Sequence, residues 1–334
     1  MARVWFGDSD VNRLLKTFRG EPTDRVPHLE YWYGWHVPAH VLGRPPQTMR
    51  DWVEFARAIG MDAIPVSYGW RPGNVFERSA DGRAHYIDGR IKRRDDLRTL
   101  EPPPPLEDFE RRLEEALEAA EGTGVGVFAS ISSFFDGTYL AMGYDHFALM
   151  LYDDLPFVEE LMDILCEQFV KAVEIACRYP IAFLFVNDDI AVKGGLLCRP
   201  DLFRELFIPR MERMVAPAKR KGIPLTFHTD GALDEVIPIL LELGFCAVHP
   251  VDPAANDIYE LKRKWGDKIT LHGNIPCDLL LYGSLDEVEA AILERLERLS
   301  VGGRYILGSG SSIFEPMPVE NVLAMPRLVH EWRP

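Results

Sequence analysis

The sequence predicts a single (β/α)8 barrel, a TIM barrel over residues 1–334, and three observations predict it. Eight short apolar runs, each ending in polar residues, alternate with segments of helical periodicity. The runs are apolar along their whole length, as strands of a parallel sheet buried on both faces are. The length, 334 residues, exceeds one ordinary core but suits eight βα units closed into one ring.

The elements follow in chain order. The first two strands are predicted over 26–32 and 62–69. Residues 76–93 carry Asp81-Gly82 and Asp88-Gly89 between short alternating runs, which predicts a β-hairpin inserted after the second strand. Four prolines, Pro102 to Pro105, cannot be helical and deliver the chain to a Glu-, Leu- and Ala-rich helix over 106–120. The third and fourth strands are predicted over 124–132 and 182–189. A helix over 200–221 opens with Pro200 and Asp201 and closes on Lys219, Arg220, Lys221 and Gly222. The fifth strand covers 224–231, and a helix over 233–243 runs into Gly244. The sixth, seventh and eighth strands cover 245–252, 269–275 and 305–312. A helix over 286–299 precedes the last of these, and 318–329 reads as the closing helix.

Composition narrows the function. Lys and Arg number 37 and Asp and Glu 52, a formal net charge of −15. Phosphate neutralisation needs clustered cations, so nucleic acid is excluded as the main ligand. The densest basic stretch, around Arg93 and Arg94, runs straight into Asp95 and Asp96 and reads as a solvated face. No apolar run approaches the ~20 residues that span a bilayer, and the N-terminus lacks a signal peptide's apolar region. The 5 cysteines are scattered without a CxxC pair. These features lead us to expect a cytoplasmic protein without a disulfide framework.

In such a barrel the βα loops converge at the carboxyl ends of the strands, so the site is expected there. Those ends supply Glu30, Tyr31, Trp32, Trp35, Tyr68, Asn187, Asp188, Asp189, His228, Asp230, His249, His272, Asn274 and Ser309. Tyr31 to Trp35 either plug the mouth as packing or form an apolar substrate wall. His249 precedes Pro250 and reads first as a turn residue. Adjacent aspartates on a strand face opposite ways, so one of Asp188 and Asp189 faces inward, and Asp188 is the one expected to. His228 and Asp230 stand at i and i+2, which puts both on one strand face and lets them share a metal; the alternative is a metal-free hydrogen-bonded couple. There is no GxGxxG, GxxxxGK[ST] or GxSxG, which argues against nucleotide binding and serine hydrolysis.

The segments Phe227-His-Thr-Asp-Gly231, Asp267-Lys-Ile-Thr-Leu-His-Gly273 and Leu307-Gly-Ser-Gly310, with Pro318-Val-Glu-Asn-Val322, resemble the uroporphyrinogen decarboxylase superfamily. That superfamily holds decarboxylases of haem biosynthesis and corrinoid-dependent methyltransferases. The resemblance covers nearly the whole chain and implies the same barrel. It places Asp62 at the family's catalytic aspartate. The decarboxylases' Arg-Gln-Ala-Gly-Arg type motif is matched here by residues 28–36, which contain no arginine, and their late histidine is matched by Ser309. The thiol-directed methyltransferases' His-x-Cys zinc motif is matched by His228 and Asp230, without thiolate. The resemblance therefore implies a corrinoid-linked methyltransferase acting on a small methylated substrate. Its catalytic residues would be His228, Asp230, Asp188 and Asp62, and a divalent metal, zinc foremost, would lie on His228, Asp230 and His272. Substrate would meet Glu30, Tyr31, Trp32, Trp35, Tyr68, Asn187, His249, Asn274 and Ser309. The corrinoid would ride on a separate protein, and the enzyme would be a monomer or homodimer. The alternatives are decarboxylation of a less anionic carboxylate, needing neither corrinoid nor metal, and a non-catalytic binding protein. The crowd of ionisable groups at the strand ends speaks against the last.

Overall fold

The computed structural model describes residues 5–79 and 84–333. Its centre is a curled, half-barrel sheet of seven parallel strands whose spatial order follows the chain. In chain order the strands of the molecule are β1 (Ala63–Tyr68), β2 (Asn74–Arg78), β3 (Ala84–Gly89), β4 (Gly126–Ser132), β5 (Leu184–Asn187), β6 (Ala191–Val192), β7 (Gly195–Leu196), β8 (Leu225–His228), β9 (Ala247–His249), β10 (Thr270–His272) and β11 (Tyr305–Ile306). The central sheet runs β1-β4-β5-β8-β9-β10-β11. Helices fill the crossovers, among them Leu106–Ala120, Leu155–Ala176, Pro200–Arg220 and Leu285–Leu299, as parallel strands require.

The first predicted strand, 26–32, is not a strand. It meets β11's extension through the single bridge His28↔Leu307, with Leu29 N–H donating to Leu307 O at 3.2 Å and Leu307 N–H to Pro27 O at 3.0 Å. Pro27 has no N–H to carry a ladder further. β2 and β3 pair antiparallel, while the predicted turn at Asp81-Gly82 lies outside the described residues.

Side-chain alternation divides each strand between two layers. Phe183 and Phe185 face the inside of the curl, where Phe183 stacks on Phe128 at 4.4 Å between ring centres. Phe227, one residue out of phase with His228, packs instead on Phe207 and Phe245 in the outer layer. The core is continuous across both layers. Among the described residues no helix is long and apolar enough to cross a membrane.

Candidate active site

Strand register puts three histidines in a row. His228 ends β8 and pairs directly with His249, which ends β9. On β10, Leu271 pairs with Val248, which brings His272 beside His249. His228 and His249 approach Nδ1 to Nδ1 at 2.8 Å, so one of the two nitrogens carries the proton and the other accepts it. Burial pushes the His249 imidazole well below the ordinary histidine range, so it is neutral. The His272 ring lies 4.4 Å from that of His249. Its Nε2–H donates to Leu29 O at 2.8 Å, and burial lowers its pKa to about 4. Gly308 makes room for that bond, since a Cβ there would lie 2.8 Å from Leu29 O and 2.9 Å from His272 Nε2.

The same alternation brings the ligand candidates together. Counting inward from Phe183 and Phe185, the inward positions are Asn187 and Asp189; from Thr226 on β8 they are His228 and Asp230. Asp189, His228 and Asp230 each offer one ligand atom, all within 4.8 Å of one another. His228 Nε2 lies 3.6 Å from Asp189 Oδ1, which also accepts the Asp230 N–H at 3.0 Å. Asp230 Oδ1 is buried and has no hydrogen-bond partner. Burial raises the Asp230 carboxyl above its ordinary value, against the pull of His228.

The expected ligand His272 and the expected catalytic Asp188 turn their polar atoms away from this cluster. His272 is outside this cluster because its Nε2 is spent on Leu29 O. Asp188, expected inward, has the outward phase of Val186: it is fully buried, and its carboxylate accepts the N–H groups of Phe135 at 3.2 Å and Asp136 at 2.7 Å. It therefore closes the N-terminus of helix Phe134–Met142, whose N-cap Ser133 makes no side-chain cap bond.

The floor of the mouth is a pocket of about 330 Å³ lined by Tyr31, Ser67, Arg71, Asp136, Asn187 and His228, among others. Sequence reasoning missed Arg71 and Asp136, which form an ion pair at 2.5 Å. Burial, opposed by Arg71, raises the Asp136 carboxyl to about 6. Arg71 stands three residues beyond β1, and Asp136 lies in the first turn of a helix, so neither is at a strand end. Asn187 donates to Ser130 Oγ at 2.9 Å on the pocket wall. Tyr31 stacks on Phe185 and lies over His228 and His249, each ring centre 5.1–5.5 Å away. A second pocket of about 190 Å³ adjoins it, sharing Tyr31, Trp32 and Ser67 and adding Glu30, Trp35, Trp52 and Arg112.

The remaining expected site residues divide as follows. Tyr68 borders the mouth pocket, while its ring has the outward phase, packing on Phe109 and Phe169, and its hydroxyl donates to Pro104 O. Asn274 is buried, donating to Val251 O and accepting from Arg295 Nε, each at 3.0 Å, so it braces a loop. Ser309 donates to Glu30 through its N–H at 2.5 Å and its Oγ at 2.8 Å. Asp62 precedes β1 and so sits at the amino edge, opposite the mouth. It is fully buried, bonded to Arg13 and Arg25 and to the Asp10 N–H at 2.9 Å. There it ties down the N-terminal segment, apart from the cluster at the mouth.

A model of the uroporphyrinogen decarboxylase (URO-D) family matches residues 78–332. The chain belongs to the URO-D family. Curated relatives include uroporphyrinogen decarboxylases from Coxiella burnetii, 27% identical over 143 residues, and Pectobacterium atrosepticum, 24% identical over 202 residues. These alignments span 42% and 58% of this chain but only 38% and 55% of the relatives. Among solved structures, a methyltransferase from Methanosarcina mazei superposes with a TM-score of 0.73 at 19% identity, covering 97% of this chain and 99% of its own. A B12-independent methionine synthase from Shewanella sp. gives 0.52 at 10% identity, covering 92% and 96%. At these identities the structural likeness is one of fold.

Proposed function

We propose that this URO-D protein is a methyltransferase that removes a methyl group from a small O-, N- or S-methyl substrate, with a corrinoid on a separate protein as acceptor. The observation that carries the reading is the Asp189–His228–Asp230 cluster beside an aromatic pocket. Among the described residues neither aspartate is paired with a lysine or arginine, and Asp230 Oδ1 is a buried acceptor without a donor, which a cation would satisfy. One imidazole with carboxylates and no thiolate suits zinc or a harder divalent ion. Such an ion supplies Lewis acidity for the electron pair that the leaving heteroatom regains. The chain's own residues do the positioning. His249 holds the His228 ring through its Nδ1, Tyr31 and Trp32 wall the methylated group, and Asp136, its carboxyl raised to about 6, can pass a proton to a leaving oxygen or amine. The rim exposes Trp32 by 51% and Trp35 by 53%, flat apolar faces suited to a partner bearing a corrin.

Metal analysis of the purified protein and its His228→Ala variant tests this reading, alongside methyl transfer to cob(I)alamin from a panel of ethers, amines and sulfonium compounds. The expected result is a stoichiometric divalent ion lost in the variant and transfer from one member of the panel. Absence of transfer from every member overturns the reading.

The Arg71–Asp136 pair favours one other activity. An arginine at the mouth can hold a substrate carboxylate, and a carboxyl titrating near 6 can protonate the carbanion left when the C–C bond breaks and carbon dioxide departs. That reaction needs neither the cluster's ion nor a corrinoid. Carboxylate turnover that survives chelation and is lost in Arg71→Met would establish it instead.

A further inference from the structure

We infer that the aromatic pocket beside the mouth binds a small zwitterion, with an N-methylated ammonium against the indole walls and a carboxylate at Arg112. This deepens the methyltransferase reading and rests on it for its catalytic meaning, although the binding stands on three observations of its own.

The walls are aromatic and set at angles. Trp35 and Trp52 meet at 70° with ring centres 6.2 Å apart, and Tyr31, Trp32 and Tyr33 add three more rings to a lining that also holds Met49, Met61, Pro65 and Val66. Ring faces carry negative quadrupole charge and attract alkylated ammonium groups, which shed water readily. Behind this wall lies Glu30, fully buried. Among the described residues it has no cationic partner; its carboxyl is held only by the two donors of Ser309. A buried acid with no counter-charge is costly to ionise, and burial raises its pKa to about 8. A fixed cation on the other side of the rings supplies that counter-charge across a low-dielectric gap. Arg112, in the lining of the same pocket, is half-buried and forms no ion pair among the described residues. Its guanidinium donates only to backbone carbonyls, Ser67 O at 2.9 Å and Asp108 O at 3.3 Å. A buried acid without a counter-charge and a cation without an ion pair thus share one 190 Å³ pocket. A molecule with the complementary pair of charges satisfies both. The pocket shares Tyr31, Trp32 and Ser67 with the mouth, so an N-methyl group held there adjoins the Asp189–His228–Asp230 cluster.

The test is calorimetric binding of trimethylglycine against its carbon isostere, tert-butylacetate, to the full chain. The two probes have one shape and differ by the ammonium charge. We expect trimethylglycine to bind at least about tenfold tighter, the scale of a partly desolvated cation–π contact. Glu30→Gln and Trp35→Leu should each reduce that preference while tert-butylacetate affinity stays within about twofold. Arg112→Met should weaken both probes alike. Equal binding of the two probes, tighter binding of tert-butylacetate, or no binding of either at millimolar concentration overturns the inference. Asp230→Asn separates the two readings, because it should abolish metal binding and leave trimethylglycine binding intact. If methyl transfer is found from a substrate without an ammonium group and trimethylglycine does not bind, the zwitterion site alone falls.

Discussion

Glu30 shows how much a single buried carboxyl decides. Its two oxygens receive the Ser309 N–H and hydroxyl, which satisfies them as acceptors but supplies no positive charge. Burial therefore prevails and the folded-state pKa rises from 4.5 to about 8. An acid whose folded pKa lies above its unfolded one stabilises the fold fully below the unfolded value and loses that contribution as pH rises through the folded value. Stability should thus fall between pH 5 and 9 relative to Glu30→Gln, which does not titrate. The span is at most roughly 5 kcal/mol, from the pKa difference at ~1.4 kcal/mol per unit. Urea unfolding of both proteins across that range, without ligand, measures it, and a difference that does not change with pH would sink the assignment. A second residue-scale expectation concerns His228. Because the His228–His249 contact uses Nδ1, only Nε2 faces the aspartates, so His249→Phe should cost roughly 10–100-fold in divalent-ion affinity, the usual effect of losing a ligand's orienting partner. Titration with zinc or manganese checks this, and unchanged affinity would mean that His249 does not position the ring.

At the scale of the element, two-residue alternation accounts both for what the sequence revealed of the site and for what it concealed. His228 and Asp230 were legible as a pair because i and i+2 share a face whatever the sheet around them. Asp188 and Asp189 were not, because choosing between them requires the phase of β5, and that is set by Phe183 and Phe185 stacking inside the curl. Once that phase is known, Asp189 joins His228 and Asp230, and Asp188 turns to the helix layer. The Tyr68 ring turns outward for the same reason, because Ser67, paired with Ser130, takes the inward position, and Tyr68 only borders the pocket. Arg71 and Asp136 escaped because a loop and a helix start carry no such periodicity. The position of Asp188 has a consequence for helix Phe134–Met142. Two of that helix's four N-terminal N–H groups end on this carboxylate, so Asp188→Ala leaves both buried without acceptors. The expected cost is about 2–3 kcal/mol, from two lost bonds in a buried setting, with divalent-ion affinity changed less than about threefold. A variant that instead lost the ion at full stability would return Asp188 to the ligand set.

Across the whole molecule the two edges of the sheet divide the work. The alternation of apolar runs and helices announced parallel βα units, and seven strands in chain order follow from it. The first run falls short of a strand because its pairing depends on distant residues and on a proline. The candidate site gathers at the carboxyl edge; at the amino edge, Asp62 ties the N-terminal helix Val11–Arg19 to the start of β1. Its carboxylate takes Arg13, Arg25 and the Asp10 N–H, and Arg13 reaches on to Asp24 at 2.7 Å. Arg25 is 8% exposed and Arg13 5%, so removing Asp62 leaves Arg25 without an acid and Arg13 with one surface partner. Breaking a buried pair from one side costs about 3–5 kcal/mol, which for a chain this long lowers the melting temperature by roughly 10 °C. Asp62→Ala should therefore unfold earlier in calorimetry while binding divalent ions and trimethylglycine as the wild type does at 15 °C. If the folded variant kept its melting temperature and lost turnover instead, Asp62 would act in catalysis after all, and the division between a stabilising amino edge and a reactive carboxyl edge would fail at the residue where the family resemblance and the geometry part most plainly.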